Sequence, residues 1–294
     1  MSLVSFLKPW ESSHGLIAVF IVAAVLFARG SRKARMTAPR RGAFWSGLAL
    51  FYLALHTRVD YYAEHQFFVH RLQHLVLHHL APLVLMAAYP GSALRAGLPF
   101  RCRRVLRRWE RSCSARIAGA ILLNPIFIST AFVVSVLVWL IPSVQFVSML
   151  DWRIYLFMNW SVAFSGLLYW WMVLDHRPSP PSRARPGLRV FSPVITMTPQ
   201  IVAGAVIAFT SHDLYPVFSL CGRAFTSLSP ALDQSLGGLI MWVPAALLET
   251  VGAMMALRHL MKLSNSPRRT LLRLSYSMPV IGIAPTRLSQ RDVV

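Results

Sequence analysis

Acidic side chains are scarce in this chain. Asp and Glu together number 10, against 30 Lys and Arg in 294 residues. Cysteine is scarcer still: only Cys102, Cys113 and Cys221, with no CxxC pair among them. That spacing excludes a zinc ribbon and a thiol-based copper chaperone motif. Cys102 and Cys113 fall in a strongly basic loop expected on the cytoplasmic side, where a disulfide is not expected. No small-x-small cleavage site follows the first apolar run, and Arg29, Arg32, Lys33 and Arg35 come directly after it, so that run reads as a retained span rather than a signal peptide. No nucleophile, base and oxyanion constellation is visible, so no enzyme is expected. No lysine lies in the middle of the last apolar segment, which disfavours a retinal protein.

What is abundant is apolar sequence. Hydrophobic residues make up 55% and charged residues only 14%, a balance that points to an integral membrane protein. Seven apolar segments are readable, roughly 14–28, 43–56, 67–89 (with a kink expected at Pro82), 118–141, 154–174, 193–210 and 235–260. The expected fold is therefore all-α, a polytopic membrane protein of seven transmembrane helices. Residues 1–264 form the membrane domain and 265–294 a basic cytoplasmic tail.

The net charge of +20 would suggest nucleic acid in a soluble chain, but its distribution gives a different reason. Of the 30 basic residues, 25 lie in alternate loops and the tail: Arg29–Arg41, Arg95–Arg116, Arg177–Arg189, and Arg258 onward. The other side has only Lys8, Arg58, Arg153 and Arg223, with Arg71 at a helix mouth. By the positive-inside rule the N-terminus is outside and the C-terminus inside, a parity that needs an odd number of spans. A basic inner surface beside anionic lipid accounts for the charge, and nucleic acid is not expected as a partner.

The residues that invite chemistry are histidines. His70, His74 and His78 recur at every fourth position in the third segment. Each step advances about 40° around a helix and about 6 Å along it, so they form one slanted row while His79 points elsewhere. Ionisable groups inside a span are costly and suggest function, and neutral imidazole is the commonest protein metal ligand. On this topology eight of the ten histidines lie in the outer half, with His56 and His212 ending neighbouring segments there. Candidate metal ligands are His70, His74, His78, His56 and His212, with Asp213 and Asp233 orienting imidazole N–H groups. Bland alternatives stand beside these: interfacial placement for His14, His65 and His176, packing for His79 and Met241, and an aromatic belt for Trp139, Trp152, Trp160 and Trp242.

Two stretches carry a family likeness. One is His70-x-x-Gln73-His74 followed by Ala81-Pro82-Leu83-Val84. The other is Asp213-Leu214-Tyr215-Pro216, then Leu228-Ser229-Pro230-x-x-Asp233-Gln234-x-x-Gly237-Gly238-Leu239-Ile240-Met241-Trp242-Val243-Pro244. Together with Gly166-Leu167-Leu168-Tyr169-Trp170-Trp171, these resemble the multi-spanning CtaG family of cytochrome c oxidase assembly factors. The resemblance implies a protein of the bacterial cytoplasmic (inner) membrane that assists copper delivery to a haem-copper oxidase. Its implied partners are oxidase subunits or other copper-handling assembly proteins. Two positions depart from the family pattern: Leu140 and Asn159 stand where histidine is expected, so two implied ligands are missing.

The expectation is thus an oxidase assembly factor that handles copper at the extracytoplasmic face. The rivals are a haem-binding redox protein, with histidines from two helices on the iron, and a proton or ion transporter relaying charge through His74 and His78. The apparent lack of acidic residues within the spans counts against the transporter.

Overall fold

The computed structural model describes residues 13–179 and 182–265. These residues form helices and no strand. All seven apolar segments are helical. In chain order the helices are α1 (His14–Lys33), α2 (Ala38–His56), α3 (Arg58–His65), α4 (Phe67–Leu75), a π-helical turn (Val76–Leu80), α5 (Ala81–Ala87), α6 (Gly91–Gly97), α7 (Phe100–Glu110), α8 (Cys113–Leu122), α9 (Pro125–Val138), α10 (Pro142–Leu150), α11 (Trp152–Val173), α12 (Pro186–Phe209), α13 (Val217–Leu220) and α14 (Pro230–Ser264). Lys8 and all of the expected tail except Asn265 lie outside the described residues.

Three of these helices, α1, α12 and α14, are long and apolar enough to cross a membrane. The number rises to five if each of two bent pairs is one span: Phe67–Ala87 with α6, bent by 73°, and α8 with α9, bent by 59°. The helix starts are written in the sequence. Asn124 Oδ1 accepts from Ile126 N at 2.9 Å, Asp151 Oδ1 from Arg153 N at 2.8 Å, and Ser229 Oγ from Leu232 N at 3.3 Å. Each side chain satisfies an N–H that has no partner within its helix.

The polarity of the bundle is that of a membrane protein. Large apolar side chains such as Ile126, Phe157, Ile195 and Phe209 face outward, while His70, Arg71, Gln73, Gln145, Gln200 and Glu249 are buried. Lipid tails give helices no hydrophobic reason to associate, so close backbone approach and interhelical hydrogen bonds hold them. The α12–α14 contact uses both. A Cβ on Gly204 would meet the Gly238 carbonyl at 2.9 Å, and one on Gly238 would meet the Gly204 carbonyl at 2.6 Å. Beside them Ser235 Oγ donates to Ala208 O at 3.0 Å.

The π-helical turn has a traceable cause. Pro82 has no N–H, so the His78 carbonyl four residues earlier loses its helical donor. The backbone instead closes a wider loop, with Ala81 N donating to Val76 O. Trp170 Nε1 on α11 donates to the orphaned His78 carbonyl at 3.2 Å. It can reach because Gly166, one turn earlier on α11, carries no Cβ that would strike that carbonyl. The expected kink at Pro82 is therefore a wound-out turn just before it.

Candidate functional site

The wide turn changes which histidines are neighbours. It holds an extra residue, so the regular four-residue row ends at His74. His70 and His74 remain adjacent, with ring centroids 4.4 Å apart. His78 and His79 form a second pair, with Nδ1 atoms 3.2 Å apart. His79 does not point elsewhere: with Arg71, His74, His78, Gln200 and Met241 it lines one small internal cavity. The space open to the centre of a water molecule there is about 20 Å³, enough for one ordered water.

His70 and His74 differ in how open they are. Gln145 Oε1 accepts from Arg71 Nη2 at 2.9 Å, so its amide nitrogen is free to donate to His70 Nε2, 3.3 Å away. That arrangement puts the His70 proton on Nδ1, towards the Ala63 backbone. Neither buried ring nitrogen of His74 has a partner at full hydrogen-bonding geometry, and the one side chain its ring leans on is that of Asn159. With its N–H turned to the Asn159 amide, His74 offers the lone pair of its other ring nitrogen. His70 offers Nε2 only by exchanging the Gln145 amide. Asn159, at 2% exposure, lies beside His74.

The other expected ligands stand apart. His56 is buried at the end of α2, its Nε2 unpartnered and its ring 5.2 Å from that of Tyr52. His212 is exposed, and only its carbonyl is engaged, accepting from Gln234 Nε2 at 3.2 Å. His78 stacks on Phe132, centroids 3.8 Å apart, with Nε2 3.4 Å from Ser135 Oγ. Asp233 caps α4, accepting from Phe67 N at 3.1 Å and Phe68 N at 2.8 Å, and pairs with Arg223. Asp213 Oδ1 accepts from Tyr215 N at 3.0 Å, and its Oδ2 lies 3.6 Å from Arg223. Among the described residues no three His, Cys, Asp or Glu side chains are grouped to hold a metal ion. The arrangement is a pair of imidazoles, not a cage.

The cytochrome c oxidase caa3 assembly factor family matches residues 18–263. The chain belongs to that family. No curated protein and no solved structure matches the chain.

The site of this oxidase assembly factor includes residues that histidine spacing does not reveal. The main correction is Glu249. The spans do not lack acid: Glu249 lies in the middle of α14 at 1% exposure. Its Oε1 is 3.1 Å from His79 Nε2 and accepts from Gln200 Nε2 at 2.6 Å, while Oε2 accepts from Thr196 Oγ1 at 2.8 Å. A carboxylate held by three donors from two other segments is how an acid is tolerated in a bundle interior. The legible signal was a lone Glu inside an apolar run, after Pro244 and before the small residues Gly252 and Ala253. Gln73 was equally readable as a polar residue in a span. Its Nε2 donates to Ala54 O at 2.8 Å and to Asp60 Oδ1 at 2.6 Å, and Tyr155 OH donates to the same Asp60 oxygen at 2.8 Å.

Proposed function

We propose that this oxidase assembly factor carries a copper ion as cargo at the extracytoplasmic side of the bacterial cytoplasmic membrane and passes it to the oxidase subunit it helps to assemble. The observation that carries the reading is the adjacent His70–His74 pair, buried in the bundle, with a ring nitrogen of His74 left open on the side away from Asn159. Imidazole suits copper, and thioether sulfur suits Cu(I). Met241 lines the same cavity as His74, so a sulfur stands beside the open imidazole. A sparse donor set suits cargo that must be released. The buried Arg71 guanidinium, next in sequence to His70, adds a repulsive charge that favours release. Seven spans with the N-terminus outside, the reading of the basic loops, put this pair in the outer half.

The test is Cu(I) retention by the detergent-purified protein against a competing chelator. Replacing His70 and His74 together by alanine should lower retention at least about tenfold, the equivalent of about 1.4 kcal/mol. Unchanged retention in a folded double variant would remove the pair from any copper path.

One observation favours a second reading. The buried His79–Glu249 pair beside a cavity sized for water is the arrangement a proton relay needs. It predicts proton flux in liposomes that Glu249→Gln abolishes. Flux equal in the two proteins, or absent from both, dismisses it.

A further inference from the structure

Well along the bundle from His74 lies a second hollow. Tyr89 follows the end of α5 by two residues, and the helical stretch from His74 to Ala87 is about 20 Å long. The hollow has a volume of about 610 Å³. Three guanidinium groups from distant parts of the chain meet there: Arg40 at the start of α2, Arg95 on α6 and Arg177 after α11. Its apolar walls include Met86, Leu94 and Trp171.

The charges in it do not cancel. Arg177 Nη2 pairs with Asp175 Oδ2 at 2.9 Å, and Arg95 pairs with Glu110. Arg40 has no ion pair among the described residues; its guanidinium carbon lies 5.9 Å from the Tyr89 ring centroid. One positive charge is therefore left over among the side chains that line the hollow; behind them the buried Arg189 guanidinium is held by the carbonyls of Asp175, Arg177 and Ala184. His176 does not add to it, because burial, and then the neighbouring His259 and Arg40, push its pKa down to about 4. Tyr89 forms part of the wall at a backbone φ of +57°, an unfavourable conformation for a bulky residue. It is held there by its hydroxyl, which accepts from His176 N at 2.7 Å.

The hollow also continues into an apolar track. A neighbouring groove of about 630 Å³ shares Gly91, Leu94 and Arg95 with it and runs along α1 past Leu26, Val22 and Ala18. From Leu26 to Ala18 is about 12 Å of helix. Arg95 lines both and marks the join.

We propose that the Arg40 hollow binds the phosphodiester headgroup of an anionic phospholipid, with one acyl chain lying along the α1 groove. One phosphodiester charge matches one uncompensated guanidinium, and a basic pocket between helices at the end of a bundle is suited to such a headgroup. Arginine presents the forked donors that phosphate oxygens accept. The contiguous apolar groove is what a soluble phosphate would leave empty.

The test uses the full chain in detergent and reads lipid binding by native mass spectrometry. Phosphatidylglycerol should bind about tenfold more tightly than phosphatidylcholine, the worth of one charge-assisted contact. Arg40→Gln should bring the two lipids level, whereas Arg108→Gln, an equal loss of charge on exposed α7, should leave the preference intact. Val22→Trp, at an exposed position in the groove, should weaken phosphatidylglycerol binding without touching the arginines, and so tests the assignment even if Arg40→Gln does not fold. Equal binding of the two wild-type lipids overturns the proposal. So does equal loss in Arg40→Gln and Arg108→Gln, or unchanged binding in Val22→Trp. Glycerol phosphate displacing the lipid at equal concentration would make the ligand a soluble phosphate and overturn the lipid assignment.

Discussion

His79 Nε2 lies 3.1 Å from Glu249 Oε1, with both side chains sealed inside the bundle. The contact joins two consequences of proline and glycine placement. Pro82 winds out the turn that brings His79 round to the cavity, and Gly252, one turn beyond Glu249, leaves room for the Trp170 ring that packs beside it. A Cβ at Gly252 would strike that ring. The carboxylate is thus fixed by packing as well as by its three donors.

Glu249→Leu should destabilise the folded protein by about 2–4 kcal/mol, because it removes three hydrogen bonds from the bundle interior and leaves His79 Nε2 without a partner there. Glu249→Gln keeps the shape and two hydrogen-bonding atoms and should cost about half as much. Thermal unfolding in detergent measures both. A leucine variant as stable as the glutamine variant would mean that the network contributes nothing to folding.

The segments were legible because their signal is composition. Seven apolar runs became helices, and their starts at Asn124, Asp151 and Ser229 follow ordinary capping chemistry. The grouping of the histidines was not legible. A regular helix puts His70, His74 and His78 in one row, but a missing N–H at Pro82 rewinds the turn only if a donor such as Trp170 Nε1 is at hand, and that donor is 88 positions away in the sequence. Glu249 was hidden differently. One acid in an apolar run has little weight until Thr196 and Gln200 of another helix are placed against it. His212 shows the reverse failure: it stands immediately before a stretch that carries the family likeness, yet its side chain is exposed.

The histidine that follows α11 makes a pH prediction. His176 has its pKa lowered to about 4 from an ordinary 6.5, first by burial and then by His259 and Arg40. Between these values the unfolded chain binds the proton and the folded chain does not. Stability is therefore undiminished above pH 6.5, falls as the pH drops towards 4, and levels off below it. Its partial exposure limits the size of the effect. His176→Gln should unfold with a shallower acid slope in this window only. Parallel slopes for variant and wild type would show that His176 is not the group responsible.

The orientation predicts a reporter pattern. By the positive-inside rule the segment around Ser148 is expected outside and that around Ser182 inside. A reporter active only outside the cytoplasm should work when fused after Ser148 and fail after Ser182. The opposite pattern would remove the outer placement of His70 and His74, and with it the side assigned to copper transfer.

The most discriminating variant concerns a position where the family likeness implies histidine. Asn159 lies beside His74, and its side chain interacts with that ring and with Tyr155. Leu140 is placed differently: it packs with Met241 and Tyr215, and its carbonyl accepts from Tyr215 OH at 2.8 Å. Asn159→His should therefore tighten Cu(I) binding by about tenfold, one added imidazole contributing at least 1.4 kcal/mol by rough count. Leu140→His should give less, since its ring has to displace apolar packing before it reaches the cavity. The gain from Asn159→His should vanish when His74 is alanine, because the two rings would share one ion. That dependence separates a shared site from an adventitious ligand elsewhere. A gain that survives His74→Ala places the ion away from the His70–His74 pair. No gain at all, in a folded protein, means that the open face of His74 is not where copper binds.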